Sequence, residues 1–93
     1  MKFRQIMFYY VYVLEDIIRG RRYIGYTTNL QRRVREHNQK ENFSTQYSSQ
    51  WKCIYFEACL NQRDALRREK YIKTTQGQRL LKLRLKEYFY RTK

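Results

Sequence analysis

From Phe8 to Leu14 the chain is aromatic or β-branched almost without a break, a composition suited to a pleated, largely buried strand rather than a helix. Tyr10, Tyr12 and Leu14 share one face of that strand. A second β-prone run covers Arg22 to Thr27, and the polar stretch Glu15 to Arg21, which contains Gly20, is the natural turn between the two. A fold-back centred near Ile17 and Ile18 brings Tyr12 opposite or diagonal to Tyr23, so that two phenols share a wall within reach of one phosphate-sized ligand. A tyrosine-rich sheet face packed under helices accounts for the same spacing.

The remaining 66 residues continue the pattern without a linker, repeat or proline. Thr28 to Gln31 has the form of a capping box, with the Thr28 hydroxyl accepting from an orphan amide and Gln31 reaching back, at the head of a helix from Asn29 to Lys40. Helical spacing places Arg33 and His37 on the same face as its thin apolar stripe, Leu30 and Val34. Arg32, Arg35, Glu36 and Lys40 fall on other faces, as a solvated or phosphate-steering surface. The polar segment Glu41 to Gln50 reads as a loop. Trp51 to Leu60 reads as a third strand, with Ile54, Phe56, Ala58 and Leu60 on one face and Trp51, Cys53, Tyr55 and Glu57 on the other. Being apolar on both faces, it is the expected central strand. A helix from Gln62 to Lys73, with Asn61 to Asp64 at its cap, aligns Ala65, Leu66, Glu69 and Ile72. A carboxylate on that stripe requires a cation, a metal or a polar cleft beside it, and a salt bridge to Arg33 is one way to supply it. Thr74 to Gln78 breaks the helix, and Arg79 to Tyr90 forms the last one, with Leu80, Leu81, Leu85 and Tyr88 inward and a basic outer face.

The expected fold is therefore α+β, a small three-stranded antiparallel sheet flanked by helices in the order β-β-α-β-α-α. It forms one domain over residues 1–93 with its core between about 7 and 89, since a chain of 93 residues has material for a single core. Cys53 and Cys59 lack metal-ligand spacing and read as free thiols of a reducing compartment. With no long apolar stretch and no leader of signal-peptide character, the chain reads as soluble, cytoplasmic and without a membrane partner. Its formal charge of +13, from 21 basic and 8 acidic residues, points to a polyanion, with nucleic acid, DNA or RNA, the default partner, although an anionic membrane would draw the same charge. Ten tyrosines, five phenylalanines and one tryptophan supply stacking surfaces as well as core. Oligomeric state is open; a monomer with one site would nick.

Tyr10-Val11-Tyr12, followed eleven residues after Tyr12 by Tyr23-Ile24-Gly25, resembles the two-part signature of the GIY-YIG nucleases. Tyr10 and Val11 stand in the glycine and isoleucine slots of the first half, and the second half is intact. The resemblance runs in order from about Met7 to about Phe89 and is closest to the small single-domain members. It implies that Tyr12 and Tyr23 are the motif tyrosines, one a base for the attacking water and the other positioning water and phosphate. It also implies that Arg33 is the helix arginine, that His37 stands where members carry histidine or tyrosine, and that Glu69 is the metal-binding glutamate. The chemistry agrees with the residue types: a tyrosine whose pKa neighbouring cations lower can act as base, and a guanidinium suits the scissile phosphate. A lone inward carboxylate suits one Mg²⁺ or Mn²⁺ ion, and no small-molecule cofactor is implied. The expected activity is metal-dependent hydrolysis of DNA phosphodiester bonds, on branched, damaged or otherwise distorted DNA.

Two departures qualify the match. There is no asparagine after Asn61, and Leu83 occupies the place where many members carry one. The alternative is therefore a catalytically impaired nucleic-acid-binding module of the same fold, with a basic RNA-associated accessory protein as a third reading that only the charge supports. Tyr26 stands where the repair branch has a lysine, so the corresponding charge must come from Arg32 or Arg22. Arg22, Tyr26, Arg32 and Lys40 are accordingly the expected nucleic-acid contacts.

Overall fold

A computed structural model describes residues 6–44 and 50–91, with side chains described over 6–39 and 50–90. Its elements are β1 (Tyr9–Asp16), β2 (Arg22–Thr27), α1 (Leu30–Ser44), β3 (Trp51–Cys59), α2 (Gln62–Ile72), α3 (Thr75–Arg84) and α4 (Lys86–Arg91). The strands form one antiparallel sheet in the order β2-β1-β3, giving the α+β class. The central strand is β1, not the expected third strand. Val11, Tyr12, Val13 and Leu14 are fully buried, whereas Phe56 in β3 is 53% exposed. Both are rich in aromatic residues, but only β1 is paired on both sides and covered on both faces.

Alternation along β1 divides the core. Val11 and Val13 pack with Ala65, Ile72 and Leu81 from α2 and α3. Tyr12 and Leu14 pack with Trp51 and, from α1, with Leu30 and Val34. Strict alternation fails in β3, because the register slips between Val13 and Leu14, which pair with Tyr55 and Cys53 respectively. A bulge of this kind turns part of a strand over. It moves Trp51 and Cys53 to the side of Leu14 and separates them from Tyr55, with which alternation had grouped them.

The turn between β1 and β2 is built on Asp16, which is fully buried. One carboxylate oxygen accepts from the amides of Ile18 and Arg19 at 3.0 and 3.3 Å, and the other from the Arg21 guanidinium at 3.0 Å. Burial by itself raises the Asp16 pKa, but these bonds outweigh it and leave the carboxyl below its ordinary value. Gly20 closes the turn at φ 71°, where a residue without Cβ is unstrained.

Asn29, rather than Thr28, caps α1, accepting from the Arg32 amide at 3.1 Å, while Thr27 Oγ1 accepts from the Asn29 amide. The helix continues past Lys40 to Ser44, so the first four residues of the expected loop are helical, and residues 45–49 lie outside the described residues. At α2 the expected cap is present, with Asn61 Oδ1 accepting from the Arg63 amide at 2.9 Å. The break after α2 is confined to Lys73 and Thr74. Thr74 caps α3 through the Gly77 amide, and Gly77 lets α3 close against the end of α2, since a Cβ there would lie 2.6 Å from Ile72 Cα. The last expected helix is divided at Leu85 into α3 and α4.

Candidate active site

Tyr12 pairs directly with Gly25 across the first two strands, and Leu14 with Tyr23. Tyr12 and Tyr23 are thus diagonal neighbours on the sheet face that α1 covers, with ring centroids 6.2 Å apart. The Tyr12 ring leans across the backbone of Gly25. A Cβ at that glycine would sit 2.5 Å from Tyr12 Oη, 2.6 Å from Tyr12 Cζ and 2.8 Å from Tyr23 Cε1. The glycine of the second tripeptide is therefore the floor on which both phenols rest.

Helix α1 brings His37 over this pair. Its ring centroid lies 4.5 Å from that of Tyr23 and 6.4 Å from that of Tyr12. Trp51 extends the cluster, 5.9 Å from His37, with the Arg21 guanidinium 5.2 Å from its own ring centroid. A paired contact fixes this arrangement: Asn38 donates to the Trp51 carbonyl at 3.1 Å and accepts from the Trp51 amide at 2.7 Å. That clip ties α1 to the start of β3 one residue after His37. Asp16, Asn38 and Trp51 thus support the site, and sequence reading missed them. The Trp51 face depends on a bulge, and the partner of Asn38 is thirteen residues away.

The two tyrosines differ in environment. Tyr12 is fully buried, its hydroxyl beside the Arg33 guanidinium without a hydrogen bond of good geometry, whereas Tyr23 is 40% exposed. Burial is the main cause that raises the Tyr12 pKa; the nearby Arg33 guanidinium opposes the rise, and the charges of Tyr23 and Glu69 add to it. The expected cation-driven lowering therefore does not hold for Tyr12, because loss of water outweighs one guanidinium. Tyr12 is a neutral phenol in the free protein. The proximity of Arg33 to that phenol also raises the arginine's own pKa.

Arg33 pairs with Glu36 at 3.3 Å, and both side chains are about half exposed. Glu69 is 20% exposed and pairs with Lys73 at 3.1 Å, so that the bridge to Arg33, one of the ways its charge could have been met, is not formed. The i,i+4 spacing within α2 supplies its cation locally. Among the described residues no three or more His, Cys, Asp or Glu side chains group as metal ligands. A single hard carboxylate with an exposed, displaceable lysine partner fits an ion such as Mg²⁺, which retains most of its waters and takes further oxygens from a phosphate.

Of the expected nucleic-acid contacts, Arg32 lies exposed on α1, 3.9 Å from Glu36. Arg22 and Tyr26 point to the opposite sheet face from the tyrosine pair. Tyr26 stacks on Tyr9 at 6.3 Å and accepts from Gln62 at 3.1 Å, and Arg22 lies 4.9 Å over the Phe89 ring. Lys40 is within α1, but its side chain lies outside those described. Leu83 is 73% exposed on α3 and lines a groove that none of the five expected catalytic residues lines.

The three-stranded antiparallel sheet thus sets two strand tyrosines on one glycine, with a helix histidine against Tyr23 and a helix arginine beside Tyr12. The model of the GIY-YIG catalytic domain matches residues 8–89, and the chain belongs to that family. Comparison with curated proteins and with solved structures gives no significant match. Family membership implies a nuclease-type phosphodiesterase with a nucleic-acid substrate, in a family that typically uses a divalent metal. Among the described residues no helix is long and apolar enough to cross a membrane.

Proposed function

We propose that the protein is an endonuclease that hydrolyses DNA phosphodiester bonds with one Mg²⁺ or Mn²⁺ ion, acting on branched, damaged or otherwise distorted DNA. The observation that carries the reading is the packing of Tyr12 and Tyr23 on Gly25, with the His37 ring against Tyr23 and the Arg33 guanidinium beside Tyr12, in a chain of net charge +13. The unequal burial of the phenols divides their roles. Tyr12, neutral and beside Arg33, donates to a non-bridging phosphate oxygen or to the attacking water. Tyr23, at the solvent edge, is the base: having released its own proton to solvent, it accepts the water's proton on its oxygen as the water oxygen bonds to phosphorus and the bond to the leaving oxygen breaks. His37 orients Tyr23 through ring contact. Exposed ion pairs contribute only about 0–1 kcal/mol, so Arg33 turns from Glu36 to the scissile phosphate at little cost. Glu69 would hold the ion, which supplies Lewis-acid stabilisation of the leaving oxygen.

The test is incubation of the purified protein with supercoiled plasmid and with a branched duplex, each with Mg²⁺, Mn²⁺ or EDTA, beside Glu69→Gln and Tyr23→Phe. Metal-dependent cleavage that both substitutions abolish is the expected result. Cleavage unchanged in either variant would reject the assignment. Salt-sensitive binding with no product at any enzyme concentration would favour the impaired binding module, the reading that the missing late asparagine supports.

A further inference from the structure

The charge on the last two helices is not spread evenly. Arg79, Lys82, Leu83, Lys86 and Tyr90 recur at helical spacing, and with Arg22 and Phe89 they line a groove of about 740 Å³ on the sheet face opposite the tyrosine pair. Every charged side chain in this lining is a cation. Leu83 and Tyr90 stand 73% and 68% exposed, so the wall combines positive charge with uncovered apolar and aromatic surface. Tyr88, one residue before Phe89, donates to Glu15 of β1 and carries Lys52 at 5.2 Å over its ring, which anchors α4 to the sheet independently of Tyr90.

From these observations we infer that the groove is a second nucleic-acid site that takes an unpaired strand, with Tyr90 as a base-stacking platform and Arg79, Lys82 and Lys86 on successive phosphates. Duplex DNA presents phosphates but keeps its base faces stacked. An aromatic surface beside a cation row is complementary to a single strand, whose bases are free to stack. Arg79 and Lys82, three residues apart within α3, are separated by about 4.5 Å along the axis at 1.5 Å per residue, comparable to one step of a stacked strand at about 3.4 Å, and Lys86 opens α4 beyond the division at Leu85. The groove also connects to the candidate active site. Arg22 and Tyr23 are consecutive on edge strand β2 and point to opposite faces, so a strand leaving the groove past Arg22 rounds the sheet edge at Tyr23. This connection rests on the endonuclease reading and assigns it a substrate class: a duplex with a flanking unpaired strand.

The experiment is fluorescence anisotropy in EDTA, so that binding is read without cleavage. A labelled oligothymidine, a blunt duplex and a flapped duplex are titrated with the full chain and with Tyr90→Ala, Lys82→Gln/Lys86→Gln and, outside the groove on α2, Arg63→Gln/Lys70→Gln. Tyr90→Ala is expected to weaken the oligothymidine and the flapped duplex about tenfold, in the range for loss of one stacked base, and the blunt duplex less than about twofold. The Lys82/Lys86 pair is expected to reduce the salt slope on the single strand by about 1.4, at about 0.7 per phosphate, and the α2 pair to leave it unchanged. Equal losses on single strand and blunt duplex, equal slope changes for the two pairs, or a single-strand affinity indifferent to Tyr90 would overturn the inference. So would Tyr90-dependent binding to anionic phospholipid vesicles with none to oligothymidine. Glu69→Gln is expected to bind as the unaltered chain does, so a protein that never cleaves but shows the Tyr90 pattern would refute the nuclease and leave the groove standing.

Discussion

Replacing Gly25 with alanine tests the geometry at its tightest point. The added Cβ would lie 2.5 and 2.6 Å from Tyr12 Oη and Cζ and 2.8 Å from Tyr23 Cε1, against an optimum of roughly 3.5–4.0 Å between carbon atoms. The Tyr12 ring must therefore retreat by about 1 Å, yet it is fully buried and packed with Leu14 and Trp51. Overpacking of this kind costs about 1–3 kcal/mol, which at roughly 4–8 °C per kcal/mol for a domain of this size lowers Tm by about 5–20 °C. The loss of function is expected to exceed that figure, since a displacement of about 1 Å at reacting groups costs on the order of 100-fold in rate. Urea denaturation followed by Trp51 fluorescence gives the stability, and plasmid nicking well below the lowered Tm gives the rate. Wild-type Tm together with wild-type nicking would show that neither phenol rests on the glycine, and the roles assigned to both would lose their geometric basis.

Tyr12→Phe is expected to change stability by less than about 1 kcal/mol, because the buried hydroxyl it removes lacks a hydrogen bond of good geometry but lies beside the Arg33 guanidinium, while cleavage falls; a stability loss matching the loss of cleavage would mean a structural tyrosine. Glu69→Gln is expected to change stability by less than about 0.5 kcal/mol in urea melts, since Lys73, its partner, is 54% exposed, while abolishing metal-dependent cleavage. Asp16→Asn keeps acceptors for the turn amides but loses the charge paired with Arg21, and is expected to cost roughly 2 kcal/mol at pH 7. Because folding lowers the Asp16 pKa, this contribution is complete above the unfolded value of about 3.9 and is lost as pH falls through the folded one. The gap between the wild-type and variant urea midpoints should therefore close below pH 4.

The hairpin was legible because its information is local. The aromatic run Phe8 to Leu14, the turn residues and the Tyr23-Ile24-Gly25 tripeptide together set strand type, register and the diagonal placement of the two phenols. Helical period placed His37 over the pair, whereas Arg33, expected to face inward with it, is about half exposed and paired with Glu36. What escaped the sequence was decided by pairings between elements. Burial on both faces follows position in the sheet rather than composition, so β1 took the centre that the apolar β3 had been expected to hold. The face of Trp51 depends on a bulge opposite Val13 and Leu14. Arg22 and Tyr26 were grouped with the site by proximity in sequence, but a period of two sends them to the other side of the sheet from Tyr23.

That alternation gives the edge strand two functions. Because successive residues of β2 face opposite ways, one short segment, Arg22-Tyr23, contributes a cation to the groove under α3 and α4 and a phenol to the cluster under α1. A central strand could not do this, since its neighbours would separate the two faces by the width of further strands; β2 has an open edge around which the inferred unpaired strand would pass in one step. The same logic accounts for the placement of the supports. Asp16 fixes the turn that sets the height of Tyr23, and Asn38 clips α1 to Trp51 so that His37 stays over it.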